Sequence, residues 1–340
     1  MNKEDLKFLQ IGLGSMGKRR IRNLLFNGIK PGQIVGVDIR PDREKEALSK
    51  YGIKTYPDFQ YALKDFEPDA VLISPPPDAH QEHFLYAARN KKHFFVEHTT
   101  TNNGYPELFS LLDGNFVAAP SCSWRFSSAV KKMKELVDSG SIGKILSFQY
   151  YMGQYLPDWH PWENYRDVYF SKKETGACRE MFTFELIWLL DLIQSYPKEI
   201  SGINAKLSDL DMDADDFYSA NIKFQNGITG DIVIEVIAHA PLRTLRLIGS
   251  EGILQWEWQE HKIKLYQAAN KAWQDISFPA GSIEPNYVVS EEMYQEEIKM
   301  FLDAILGKAK YPFTFQENQR ILNIIFALEK SVREGKVINL

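Results

Sequence analysis

The sequence predicts an α/β protein: a doubly wound parallel α/β domain, then an α+β domain with a large, mainly antiparallel open sheet. Three observations carry this. In the first third, apolar runs of four to eight residues alternate with amphipathic helical patterns, as parallel strands covered on both faces require. A glycine-rich turn joins the first of those strands to the first helix. Further on, long alternating strands are separated by tight-turn residues, which pair as hairpins. The 340 residues suit about two domains at ~150 residues each. The expected domains are residues 1–122 and 123–340, with the final helix free to pack back on the first domain.

Taken in order, "LKFLQIGLG" is a strand ending in glycines, followed by a basic amphipathic helix over 17–27. "IVGVDI" is a second strand, and a helix spans 41–51. "AVLISP" (70–75) is a third strand and 78–90 a helix; "HFFVE", a short helix and "FVAAPSC" complete the parallel set. After a helix over 127–140 the grammar changes. "KILSFQYYMGQY" is a long strand, followed by a loop of about twenty residues and a helix over 177–194. Strands are expected over 198–207, 216–224, 228–238, 243–248, 253–258, 262–267 and 272–278, with Asn226-Gly227 and "GSEG" (249–252) as turns. Helices over 288–305 and 316–333 close the chain.

Gly12, Gly14 and Gly17 spell G-x-G-x-x-G. Alone that is a weak signal. Here it follows a strand, opens a helix and precedes an acid, Asp38, at the end of the second strand, 21 residues after Gly17. Each part has a physical reason. Glycine permits the tight turn and lets the backbone approach a pyrophosphate, and the helix N-terminus offers unpaired N–H groups to the phosphates. Leu13, Ser15 and Met16 complete the loop, and Ile39 and Arg40 follow the acid. A carboxylate at Asp38 bonds a ribose 2′-hydroxyl and repels a 2′-phosphate, which favours NAD over NADP. Arg40 and Arg43 are placed to reach such a phosphate and keep NADP open.

The net charge of −5 gives no electrostatic footprint for nucleic acid. Two cysteines, Cys122 and Cys178, are too few for a disulfide scaffold and lack metal-ligand spacing, so no metal is expected. The N-terminus has no apolar signal core. "MFTFELIWLLDLI" contains Glu185 and Asp191 and is short of the ~20 residues that span a bilayer. A cytoplasmic protein without membrane partners is expected. Arg19-Arg20 is read as helix surface, and "DLDMDADDF" (209–217) as a solvated hairpin, since Ala214 and Ala220 stand where a calcium loop needs glycine and glutamate.

An ordered set of segments resembles the glucose-fructose oxidoreductase and inositol dehydrogenase family (Gfo/Idh/MocA). These are "FLQIGLGSMGKRRIRNL", "AVLISPPPDAHQEHFLYAARNKKHFFVEH", "WRFSSAVKKMKELVDSGSIGKI", "FQNGITGDI", "LIGSEGILQWEW" and "FTFQENQRILNIIFALEKSVREGK", covering nearly the whole chain. The resemblance implies a Rossmann domain with Ser74, Pro75, His80, Glu97 and Arg125 near the cofactor, and a homodimer or homotetramer. Apolar positions in "ITGDIVIEVIA" also suggest a covered outer sheet face. Three departures stand out. The family's catalytic lysine, in Glu-Lys-Pro, falls on His98. Its glycine-rich turn is reduced to Thr175–Ala177. Its helix acid falls near Glu180 or Met181, and its histidine on Phe184.

"FFVEHTTT" (94–101) ends a parallel strand, where ligands of such sheets sit, so Glu97 and His98 are expected to face nicotinamide and substrate. Imidazole, with an ordinary pKa of ~6.5, suits removal of a hydroxyl proton as hydride leaves. His160 and Tyr165 are the other catalytic candidates. They lie in "YLPDWHPWENYRD" (155–167), whose Trp159 and Trp162 offer flat faces to a sugar ring and whose Arg166 offers hydrogen bonds. Arg179 and Glu180 complete the candidate substrate set. The expectation is an NAD(P)-dependent oxidoreductase acting on a hydroxyl or keto carbon of a sugar or nucleotide-linked sugar. Two alternatives stay open: a redox-assisted glycoside-cleaving enzyme with tightly bound NAD, and a non-catalytic dinucleotide-binding protein.

Overall fold

The computed structural model describes residues 2–284, 287 and 289–340. The chain forms two units: residues up to Ser123 with Ile283–Asn318, and Trp124–Ser282 with Gln319–Leu340. In the first, strands and helices alternate: β1 (Phe8–Ile11), α1 (Ser15–Phe26), β2 (Ile34–Val37), α2 (Pro41–Tyr51), β3 (Lys54–Tyr56), α3 (Phe59–Asp65), β4 (Ala70–Ile73), α4 (His80–Arg89), β5 (His93–Val96), α5 (Tyr105–Leu111) and β6 (Ala118–Pro120). The sheet is wholly parallel in the order β3-β2-β1-β4-β5-β6. Every residue of β1, β2 and β4 is buried, as a sheet covered on both faces demands. The order reverses between β1 and β4, so their carboxyl ends open a crevice where such sheets bind ligands. β3 and α3 go beyond the expected elements; a three-residue edge strand leaves too short a pattern to read.

The domain boundary needs a correction. The sequence places everything after 122 in the second domain, yet α8 (Glu292–Ile305) belongs to the first unit. Its Ile298, Phe301 and Leu302 enter one apolar cluster with Leu24, Ile29 and Phe95. An amphipathic helix is stable only where its apolar stripe finds a partner, and α1 supplies one. The helix was expected over 288–305; Val288 lies outside the described residues. The last helix, α9 (Phe315–Glu334), belongs to the second unit from Gln319 onward. Its Phe315 counts with the first unit, against Phe84, Phe94 and Tyr105.

The second unit contains α6 (Ser128–Asp138), β7 (Ile145–Gly153), α7 (Ala177–Ile193), β8 (Pro197–Ala205), β9 (Phe217–Phe224), β10 (Thr229–Glu235), β11 (Leu242–Gly249), β12 (Gly252–Glu257), β13 (Lys262–Gln267), β14 (Ala272–Ser277) and β15 (Ile338–Asn339). Its sheet runs β14-β13-β12-β11-β7-β10-β9-β8-β15 and is antiparallel except where β7 meets β10. Buried Glu185 in the apolar helix α7 is fully used: it accepts from Tyr150 (2.6 Å), Trp188 (2.7 Å) and Arg243 (2.8 Å). The apolar count in "ITGDIVIEVIA" does not imply a covered outer face. Ile232, Ile234 and Val236 are wholly buried, while Asp231 and Val233 alternate outward. The outward face carries Gln149, Asp231, Arg246, Gln255 and Lys264 around a depression of about 400 Å³. Among the described residues no helix is long and apolar enough to cross a membrane.

Candidate active site

The glycine loop in the first unit is built for close approach. Gly12 has φ +79°, and a Cβ there would lie 2.8 Å from the backbone of Ser74 and 2.9 Å from Pro75. At Gly17 a Cβ would fall 1.8 Å from the Gly12 carbonyl oxygen, so only glycine lets α1 start this close to β1. Gly14 caps α1 without a side chain; the space a Cβ would take meets only the Arg43 guanidinium, at 3.2 Å. Ser15 and Met16 are the first two helical residues. This cradle, with N–H groups at a helix start and glycine at Gly12, Gly14 and Gly17, fits a pyrophosphate.

Asp38 is buried at the end of β2. Its carboxylate accepts the N–H of Leu13 (2.7 Å) on one oxygen and that of Arg40 (2.9 Å) on the other. Each oxygen keeps acceptor capacity for a ribose hydroxyl. The neighbouring Ile39 is 89% exposed, a flat apolar surface beside the acid. The Arg40 guanidinium is turned to Asp42 (2.6 Å), whereas Arg43 stands 3.8 Å from Asp38. His80 donates from Nε2 to the Pro75 carbonyl (2.9 Å), and burial holds its pKa down to about 4, so it stays neutral and braces the Ser74–Pro75 turn. Gln10 was missed: its amide nitrogen ties Ile11 O, Gly12 O and Ser74 Oγ together beneath the loop. A lone buried glutamine in an apolar strand was the available signal.

The two arginines read as helix surface are 3% and 0% exposed. Arg20 answers what Glu97 faces: its guanidinium holds the Glu97 carboxylate with both Nε (2.5 Å) and Nη2 (3.0 Å), and Glu297 with Nη1 (2.8 Å). Burial alone would lower the Arg20 pKa, but the two carboxylates raise it. Glu97, expected to face nicotinamide and substrate, serves as the counter-ion of a buried cation. His98 follows it directly and is itself buried.

In the second unit, α7 starts from a strained turn. Gly176 lies so close to Phe170 that a Cβ would meet its carbonyl oxygen at 2.1 Å, and Ala177 has φ +47°. A left-handed non-glycine residue costs roughly 1–2 kcal/mol. The strain sits one turn before Glu180, whose Oε1 accepts from the Tyr169 hydroxyl (2.8 Å). Its Oε2 is buried with no hydrogen-bond partner among the described residues. Burial pushes the carboxyl up to about 8, although the Tyr169 bond opposes this, so Glu180 is largely a neutral acid at pH 7.

The aromatic loop divides in two. Trp159 meets Phe170 edge-on (5.1 Å), and the His160 ring stacks on Trp162 (4.9 Å) and meets Phe170 (5.2 Å), with Nδ1 3.7 Å from Glu163. Tyr169 also packs on Phe170 (4.3 Å), so these rings and Glu180 form one cluster. Tyr165 and Arg166 turn elsewhere: the Tyr165 hydroxyl accepts the Asp211 N–H (3.0 Å) and Arg166 bonds the Asp211 carboxylate (2.9 Å). The acidic segment, expected as a solvated hairpin, thus anchors this loop. It also donates from Asp213 and Ala214 to the Ser171 carbonyl. Arg179 is engaged by Glu329 (2.6 Å) and the Glu174 carbonyl (2.6 Å), and Arg125 by the Ile187 carbonyl (3.0 Å).

A raised carboxyl is a stability statement. Between the unfolded pKa near 4.5 and the folded value near 8, the folded state binds the extra proton. Stability therefore falls as pH rises through that window and levels off above it. Glu180→Gln, which mimics the neutral acid, is expected to match the wild type near pH 5 and to be more stable by on the order of 2 kcal/mol at pH 8. Urea titrations at the two pH values check this; an equal gap at both would show Glu180 ionised in the folded protein.

Comparison with known proteins agrees with this geometry. Residues 6–111 match the oxidoreductase family with an NAD-binding Rossmann fold, and 130–255 match the GFO/IDH/MocA C-terminal domain. Levoglucosan dehydrogenase of Pseudarthrobacter phenanthrenivorans is 24% identical over 263 residues, 67% of this chain and 66% of that protein. Myo-inositol 2-dehydrogenase of Thermotoga maritima is 31% identical over 140 residues, 39% of this chain and 41% of that one. The matched stretches therefore span about two thirds or less of these relatives' own lengths. A solved levoglucosan dehydrogenase in complex with NADH superposes with a TM-score of 0.83 over 98% of both chains, at 21% identity, a likeness of fold. The chain belongs to the Gfo/Idh/MocA oxidoreductase family, and its first unit carries that family's NAD-binding Rossmann domain.

Proposed function

We propose that the protein is an NAD-dependent dehydrogenase acting on a hydroxyl or keto carbon of a cyclic sugar or polyol. The observation that carries this reading is the cluster of Trp159, His160, Trp162 and Tyr169 gathered at Phe170 and joined to the neutral acid Glu180 through the Tyr169 hydroxyl. Flat rings suit the C–H faces of a sugar, and a carboxyl with a spare buried oxygen suits one of its hydroxyls. Two relatives are named for levoglucosan and myo-inositol, both cyclic polyols. Bound NAD supplies the hydride acceptor. The chain's own part is to hold the pyrophosphate at Gly14–Met16, accept the ribose hydroxyls at Asp38, and take the alcohol proton, a role assigned to His98. Tyr165, Arg166, Arg179 and Arg125 are left as supports, because each already serves another group.

The test is to follow NADH formation with NAD and a panel of anhydrosugars, inositols, aldoses and nucleotide-linked sugars, and to titrate both dinucleotides. NADH is expected with at least one polyol, and NAD is expected to bind more tightly than NADP. Tighter NADP binding would hand the choice to Arg43, which stands beside Asp38. Cofactor binding with no turnover of any panel member would favour a non-catalytic role. Glycoside cleavage without net NADH would favour the redox-assisted reaction.

A further inference from the structure

Within the first unit, one side chain, that of Tyr287, meets the first residue of α1, Ser15. The Tyr287 hydroxyl accepts from Ser15 Oγ at 3.0 Å and lies 3.4 Å from the Ser15 carbonyl oxygen, to which it donates. Its ring is fixed from below. The Arg19 guanidinium is sandwiched between Tyr287 (4.0 Å) and Tyr294 (4.1 Å), and Arg22 reaches the same ring at 5.5 Å. Glu291 bridges the two cations, accepting from Arg19 at 2.8 Å and Arg22 at 3.3 Å. Arg19 is 3% exposed, and its Nη2 has no hydrogen-bond partner among the described residues. Burying the Arg19 cation in this stack costs desolvation that a plain loop would avoid. Its effect is to hold one phenol against the start of the helix that receives the pyrophosphate.

We propose that Tyr287 is a positioning residue of the cofactor site, fixing the Ser15 hydroxyl so that it donates to a pyrophosphate oxygen. This rests on the NAD-dependent reading above. A serine hydroxyl has one donor and two acceptor sites and rotates freely unless a partner fixes it. With a phosphate at the N-terminus of α1, the Ser15 O–H turns to the anion and the Tyr287 O–H donates to Ser15 Oγ. The resulting chain, phenol to hydroxyl to phosphate, polarises in one direction, and each bond strengthens the next. Ser15 touches the cofactor; Tyr287 acts through it.

The test measures NADH affinity by fluorescence titration in the full-length wild type, Tyr287→Phe, Ser15→Ala and the double variant. Tyr287→Phe keeps the ring over Arg19, so the protein should stay folded without cofactor, its thermal midpoint lowered by no more than the loss of its hydrogen bonds to Ser15. Its NADH affinity should fall by about threefold to tenfold, the effect of losing one hydrogen bond. In the Ser15→Ala background the same change should cost less than about twofold, because the group it positions is gone. Equal affinity of wild type and Tyr287→Phe, or the same loss in both backgrounds, overturns the inference and leaves the cofactor reading standing. A wild type that binds no NADH overturns both.

Discussion

Gly14→Asp is expected to weaken NAD binding at least tenfold, about 1.4 kcal/mol, in a protein that remains folded. The site tolerates the residue. Gly14 is the N-cap of α1 with φ −70°, an ordinary conformation, and aspartate is among the best N-cap residues. A new side chain there meets only the mobile end of Arg43, at 3.2 Å from the Cβ. The carboxylate therefore gains the N–H groups of α1 and the Arg43 charge, which are the groups proposed to receive the pyrophosphate. It competes with the cofactor by occupying its place and repelling its charge. Gly12 and Gly17 would make poor tests, because a Cβ at either collides with backbone and a lost affinity would only report a disturbed fold. A thermal melt beside the NADH titration separates the two effects. Wild-type affinity in folded Gly14→Asp would remove this loop from the cofactor site.

The parts of this molecule legible from sequence are those whose physics is local. Parallel strands such as β4 are buried on both faces and read as unbroken apolar runs. Gly12, Gly14 and Gly17 announce a backbone that must come close to something, and Asp38 follows at the right distance. Long-range partners were not legible. Arg20 looks like one more cation on a basic helix, and only the fold brings Glu97 and Glu297 to it across 77 and 277 residues. Likewise α8 carries an apolar stripe that fixes its period but not its partner. In the candidate site, the individual aromatic residues were visible as an unusual composition. Their sorting was not: Tyr165 and Arg166 go to Asp211, while Trp159, His160 and Trp162 gather around Phe170. Glu180 shows the same limit, since its proton is retained through burial, which a sequence does not display.

The largest loss is expected at His98, assigned here as the proton-transfer group. His98→Asn keeps a hydrogen bond but cannot take the proton, and should lower turnover by ~10²–10⁴-fold while leaving NADH affinity nearly intact. His98→Ala should be about as damaging. The placement rests on the end of β5. There the Glu97 side chain is clamped to Arg20, and the Thr99 hydroxyl donates to the Thr101 carbonyl (3.1 Å), so the side chains on both sides of His98 are held. A base held this way needs no large motion to act. If His98 is the base, the rate of alcohol oxidation rises as its imidazole deprotonates, and that inflection disappears in both variants. Glu180→Gln is the necessary companion, because a carboxyl near 8 would produce an inflection of its own. That inflection should persist in His98→Asn and vanish in Glu180→Gln. His160→Ala is the second companion, since its ring lies among the aromatics proposed to hold the sugar. Normal turnover by His98→Asn with a dead His160→Ala would move the proton transfer to the aromatic loop. His98 would then be a buried residue that only completes the strand end fixed by Arg20.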